Sequence, residues 1–312
     1  MKKIIFVLFW FAFSSYSFAA QPLLNPGELA AKLSDANVRV IDIRDAKSYA
    51  ANHIPGAVNA PYVQWRGPAS NPGELPTLLK LTTLVQSLGL SPTTHAVVVS
   101  SGADATDFGA SARVYWTLKV LGLKELSVLN GGVKGWSAAT LAQNSDAVKV
   151  AASSFQPQFD NSQIASKEEM IKRVKAGDSL LIDARPASFF NGDTRAASAK
   201  VPGTLPTAVN LSHDKWFLPG SSSFVSTAQA KQIAAVSPID PAKETVSFCN
   251  TGHWAATNWF AMSEVLGQKN VKLYPGSMTE WTQDENGLPM VNVPNRAKQL
   301  WIDTKIWADK TF

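Results

Sequence analysis

The chain has 312 residues, 45% of them hydrophobic and 17% charged, and 29 Lys and Arg against 24 Asp and Glu give a formal charge of +5. This composition excludes wholesale disorder, and the length suits two domains, each able to bury its own core. The basic excess forms no cluster, which argues against nucleic acid as a partner.

The chain opens with Lys2 and Lys3, then an apolar run from Ile4 to Phe13, then small residues at Ser17 and Ala19. The run is too short to span a bilayer, so the pattern predicts a signal peptide over residues 1–19, cut after Ala19 or Ala20. The expectation is an exported, periplasmic protein with no stable membrane association. Losing Lys2 and Lys3 lowers the formal charge from +5 to +3. Exported proteins commonly use cysteines in pairs, but Cys249 is alone here. It cannot form an internal disulfide, so it points to reactive chemistry or intermolecular pairing. His53, His95, His213 and His253 are scattered, so neither a metal site nor a cofactor is expected.

Asn25-Pro-Gly-Glu28 predicts a capped helix start, with the helix running to Leu33. Arg39 to Ile43 reads as a buried strand containing Asp42 and followed by Arg44. A short helix from Ser48 leads through His53 to the Pro55-Gly56 turn and Ala57-Val-Asn59. Leu78 to Leu88 has helical spacing, Ala96 to Val99 reads as a central parallel strand, and Ala110 to Leu121 as a helix. Leu126 to Leu129 is a strand, and Asn130 to Trp136 turns back into a helix.

The second half repeats this order. Ser166-Lys-Glu-Glu169 predicts a capping box and a helix to Val174, and Leu180 to Arg185 repeats the strand with its Asp-x-Arg ending. Pro202-Gly203 and Ala208-Val-Asn210 echo the earlier turn. Ser226-Thr-Ala-Gln229 caps another helix, Thr245 to Phe248 is a strand, and Val271 to Trp281 matches Leu126 to Trp136. Strand Asp to closing Trp spans 94 residues in the first half and 98 in the second, which argues for two copies of one unit. Residues 142–163 are rich in Ala, Ser, Asn and Gln and read as a linker. Strands alternating with helices predict an α/β fold, each copy an open, mainly parallel sheet with helices on both faces.

Cys249 stands at the carboxyl end of its strand, where open α/β sheets place ligands. A helix is expected from Ala255 to Leu266, joined to the strand by a tight loop in which Gly252 can take a positive φ. Such a loop aims backbone N–H groups at one point, so Asn250, Thr251, Gly252, His253, Trp254 and Ala255 are the candidate binding residues around a nucleophilic Cys249.

Asp42-x-Arg44 with His53-Ile-Pro-Gly-Ala-Val-Asn59, Leu129-Asn-Gly-Gly132 with Trp136, Asp183-x-Arg185 and Cys249-x-x-Gly252 together resemble the tandem-domain rhodaneses, sulfurtransferases of the thiosulfate or mercaptopyruvate type. The resemblance implies two rhodanese-like domains: residues 20–145 without the catalytic cysteine, a linker over 146–163, and a catalytic domain over 164–312. It implies sulfur transfer from a small sulfur-containing anion to a thiol or cyanide through a persulfide on Cys249. The strand equivalent to that of Cys249 ends at Ser100-Ser101-Gly102, as expected of the inactive half.

The chain departs from the family where basic residues commonly follow the cysteine, since Asn250 and Thr251 are neutral, and where some members carry a substrate-binding Arg, since that position is Phe189. Arg195, Lys200 or a protonated His253 are the alternative contacts for a donor anion, while Trp254, Trp281 and Trp216 are candidates for the pocket mouth. Asp183 and Arg185 are expected to pair structurally. Two other readings compete with sulfur transfer. A Cys-x5-Arg phosphatase needs Arg at position 255, which is Ala255. A non-enzymatic persulfide carrier would serve an exported protein partner and needs no small-anion cage.

Overall fold

Residues 20–311 are described by the computed structural model, and the expected signal peptide, residues 1–19, lies outside them. The first half contains β1 (Leu23–Leu24), α1 (Pro26–Ala30), β2 (Val38–Asp42), α2 (Ala46–Ala51), β3 (Val58–Asn59), α3 (Leu78–Ser87), β4 (His95–Val99), α4 (Ala105–Val120), β5 (Leu126–Leu129) and α5 (Gly132–Ala138). Its strands form a wholly parallel sheet in the order β1-β5-β4-β2-β3. Alternate residues enter two different cores, Ile41 and Val98 on one face and Val40, Val97 and Val99 on the other, so helices cover both faces.

The second half contains α6 (Lys167–Ala176), β6 (Leu180–Asp183), α7 (Ala187–Phe190), β7 (Val209–Asn210), α8 (Thr227–Ala235), β8 (Thr245–Phe248), α9 (Trp254–Trp259), β9 (Val271–Leu273), α10 (Ser277–Gln283) and α11 (Arg296–Thr311). The sheet order is β7-β6-β8-β9, again parallel, and a single bridge from Ile164 to Leu273 stands where the first half has β1. The two halves are not separate globules. Ile41, Val98 and Leu126 of the first sheet share one core with Ile182, Val271 and Leu273 of the second, and α4 and α9 pack between them. Phe108, Phe217, Phe224 and Phe260 meet edge-on or tilted, 5.2–5.8 Å apart, at the centre of this core.

Several boundaries differ from the sequence reading for identifiable reasons. The Asn25 capping box forms with Glu28, but α1 stops at Ala30, and turns fill the span to Leu33. Ser166 accepts from the Glu169 amide, yet the reciprocal half of the box is missing because the Glu169 carboxylate turns to Arg173 and Lys272. α4 starts at Ala105, five residues earlier than Ala110, because Asp104 caps it, its side chain accepting from the Asp107 amide. The helix expected to Leu266 is α-helical only to Trp259 and continues as a π-helical stretch over Phe260–Val265. Residues of the linker lie along the first half: Gln86 Nε2 donates to Phe155 O, and Phe155 and Phe159 pack on the shared core.

Candidate active site

The Asp-x-Arg strand ends build the same device twice. In β6 the Asp183 carboxylate accepts from Arg185 Nε and Nη2, with both groups buried, and Asn210 Nδ2 donates to the carbonyls of Asp183 and Arg185. In β2 Asp42, Arg44 and Asn59 repeat those contacts. The pairing is structural, as expected, and Arg185 also reaches Asn250 Oδ1 at 3.4 Å, tying β6 to the residue after the cysteine.

β8 lies between β6 and β9 and delivers Cys249 at its carboxyl end, where the side chain is 1% exposed. Two further backbone bonds fix the loop: Met278 N donates to Cys249 O and Thr279 N to Asn250 O, both at 3.0 Å. The Ser277 hydroxyl accepts from Cys249 N at 3.0 Å and Gly252 N at 3.1 Å and donates to Tyr274 O at 2.8 Å. Ser277 holds a φ of 53°, costly for a side chain with a Cβ, and its saturated hydroxyl offsets that strain. Gly252 has a φ of 65°, and a Cβ there would lie 2.4 Å from Arg113 Nη1 and 2.5 Å from Pro275 O. Glycine is therefore required on both counts.

The set of amides expected from Asn250 to Ala255 needs one correction. Gly252 N is already used by Ser277, whereas the amides of Asn250, Thr251, His253, Trp254 and Ala255 meet no acceptor among the described residues. Buried backbone donors without a partner are rare, and here the unpaired amides follow the only cysteine in one short loop. The first half handles the same position differently. Val133 N and Lys134 N donate to Ser100 O and Ser101 O just as Met278 and Thr279 do, but the Asp107 carboxylate takes Gly102 N at 2.6 Å and Ala103 N at 3.4 Å.

His253 is the second correction. A carbonyl only accepts, so Nε2 carries the proton toward Thr106 O at 2.7 Å. Nδ1 then accepts from the Tyr62 hydroxyl at 2.8 Å, and that oxygen accepts from Arg66 Nη1 at 3.0 Å. Burial, reinforced by the charge of Arg66, pushes the His253 pKa down to about 3. The ring is neutral with both nitrogens engaged, so it does not supply a positive charge to a donor.

The remaining candidates separate. Trp254 is half-buried, stacks on His213 at 4.7 Å and approaches Phe189 edge-on at 5.8 Å. Trp216 and Trp281 are core residues instead, their indole N–H groups bonded to Asn258 Oδ1 and Pro289 O. Arg195 is held by Asp303 at 2.7 Å and by Ala199 O at 2.6 Å, and the Lys200 side chain is exposed. Neither makes a contact with the Cys249 loop among the described residues.

What sequence reasoning missed lies in the other half. Arg113 of α4 donates to Gly252 O at 3.3 Å and Gly73 O at 2.7 Å; Tyr62, Arg66 and Thr106 hold His253; and Gly109 lets α4 approach that ring, since a Cβ there would lie 2.8 Å from Nε2. No local signal marks these residues, because their role depends on how the two halves pack.

The family described as rhodanese-like domain matches twice, at residues 25–139 and 166–284. Thiosulfate sulfurtransferases of Pseudomonas aeruginosa and Azotobacter vinelandii are each 30% identical over 267 residues, covering 85% of this chain and 95% of the relative. Among solved structures, the 3-mercaptopyruvate sulfotransferase SseA of Escherichia coli aligns with a TM-score of 0.71 at 23% identity, covering 83% of this chain and 99% of SseA.

Proposed function

We propose, from the premise that this chain belongs to the rhodanese family and is a sulfurtransferase, that Cys249 is its sulfur carrier and that thiosulfate is its donor. The observation that carries the site is that five amides of the loop that follows the lone thiol, Asn250, Thr251, His253, Trp254 and Ala255, meet no acceptor among the described residues. In the first step the Cys249 thiolate attacks the outer sulfur of thiosulfate. The new S–S bond forms as the old one breaks, and sulfite leaves with the electron pair. In the second, cyanide or a thiolate attacks the outer sulfur of Cys249–S–S⁻, and the thiolate departs as leaving group, ready for another cycle. Both states are anionic, and fixed amide dipoles stabilise such charge without reorganising, in the manner of an oxyanion hole.

His253, neutral and locked by Tyr62 and Thr106, positions the loop rather than titrating during the cycle. The relatives are enzymes, which favours turnover over a carrier that serves a protein partner. Export is proposed on the leader pattern, and one contact supports cleavage after Ala19: Ala20 N lies 2.8 Å from Glu125 Oε2, where a freed α-ammonium would form an ion pair.

One experiment tests the site. Thiocyanate formation from thiosulfate and cyanide is expected in the wild type and is lost at least a thousandfold in Cys249→Ser, whose hydroxyl fits the loop but holds no sulfane sulfur, roughly the scale of removing a nucleophile. Intact mass before and after cyanide shows one removable sulfur in the wild type and none in the variant. Normal turnover by Cys249→Ser would sink the assignment.

A further inference from the structure

Arg113 is a buried cation without a counter-ion. Its side chain is 0% exposed and its Nε has no hydrogen-bond partner, and the ion pairs among the described residues do not include it. Nη1 and Nη2 rest on the carbonyls of Gly252 and Gly73, and the guanidinium lies 4.9 Å from the Trp116 ring centroid. Two carbonyl dipoles and a ring face replace little of the water that a full charge loses on burial. A residue that merely braced two loops would not need that charge.

The groups that face it narrow the choice of counter-ion. Arg66, Tyr62 and Cys249 are its electrostatic neighbours, and His253 lies on the same wall. Arg66 carries the same sign, His253 is neutral, and burial raises the pKa of the Tyr62 phenol and keeps it protonated. Cys249 is left as the neighbour able to bear a negative charge.

We infer that Arg113 is the counter-charge of the sulfur anion on Cys249, as thiolate and then as persulfide, so that the half without the cysteine supplies the cation that Asn250 and Thr251 do not. This rests on the reading of Cys249 as the sulfur carrier. The anion served is the protein's own sulfur, held against the Gly252 carbonyl side of the loop, and Arg113 acts through Cys249 as a positioning residue. Burial depresses the guanidinium to about 9, which leaves it positive at neutral pH, and an anion opposite raises it again.

The test uses the full chain, with Cys249→Ser as the blank. Ultraviolet thiolate absorbance at neutral pH reports Cys249 alone, because the chain has no other cysteine. Sulfur loading from thiosulfate is followed by intact mass. Arg113→Met is expected to lose roughly tenfold or more in loading rate and most of the thiolate signal, while Arg113→Lys retains most of both, as a charge interaction requires. Thermal melts establish that the variants compared are folded. Wild-type behaviour in Arg113→Met, or equal losses in the Lys and Met variants, overturns the inference. Should Arg113→Met fail to fold, the wild type decides, since an absent thiolate signal at neutral pH overturns the pairing and a present one supports it. A wild type that ionises normally but never loads sulfur would defeat the functional reading and leave the Arg113–Cys249 pairing standing.

Discussion

The loop after β4 and the loop after β8 occupy equivalent places in two copies of one sheet, yet their amides meet different fates. Behind both, a helix-opening segment donates two backbone bonds to the strand-end carbonyls, Val133 and Lys134 in one case and Met278 and Thr279 in the other. In the first copy Asp107 fills the donor cluster with its own carboxylate. In the second, Ser277 takes two amides and five remain unpaired. The lesson is that a strand-end loop of this kind is an anion site by construction. What separates the two copies is whether the chain supplies an anion itself, as Asp107 does, or leaves the amides unpaired, which is where the proposed sulfur chemistry would take place.

The sharpest way to break that comparison is to substitute the two glycines that let the loops close. Gly252→Ala places a Cβ against Arg113 Nη1 and Pro275 O, and Gly102→Ala places one 1.9 Å from Gly131 O, both at positive φ. Each is expected to destabilise the fold by about 2–4 kcal/mol in chemical denaturation. Turnover per folded molecule should fall at least tenfold only for Gly252→Ala. Equal activity losses in both would mean that the β4 loop is not inert.

A gentler cut removes the acceptors. Ser277→Ala leaves Cys249 N and Gly252 N unpaired, and Asp107→Ala does the same to Gly102 N, while Ala103 N keeps the Ser101 hydroxyl. Each is expected to cost about 1–3 kcal/mol, the penalty for buried donors left unsatisfied. Only Ser277→Ala should lower kcat, and kcat normalised to folded protein checks this.

The smallest effect is a pH dependence. Native His253 has its pKa pushed down to about 3 against an ordinary 6.5, so below pH 6.5 the unfolded chain takes up a proton that the folded ring refuses. Stability therefore falls as pH drops from about 6.5 toward 3, by at most about 1.4 kcal/mol per pH unit and by less in practice, because the half-buried ring retains some solvent. Buried His213 is shifted in the same direction, so the informative quantity is the difference between wild type and His253→Gln in urea melts at pH 7 and pH 5. An identical slope in the two would contradict the neutral-ring account.

The twofold repeat was legible in the sequence because its markers act locally. Asp42 and Asp183 grip arginines two residues away, and Asn59 and Asn210 clasp the same strand ends. Cys249 and Gly252 were legible for a similar reason, since the strand, loop and helix that hold them are contiguous. Less could be read where a side chain's role depends on docking. Trp216 and Trp281 look like rim residues in sequence but are swallowed by the core, and Arg195 is claimed by Asp303 on a distant helix. Arg113 reads as one more residue of a helix until α4 is packed against α9. Asp107 shows only that a helix begins nearby, with nothing to say that its carboxylate fills a site.

The aromatic cluster where Phe108 and Phe224 meet Phe260 has a consequence for how the molecule comes apart. Because both sheets draw on that one interior, the waist of the protein is also its centre, and pulling one lobe from the other would uncover oily surface on each. Melting should then be a single concerted event, in which the lobe without the cysteine persists because its twin would lose half of its interior without it.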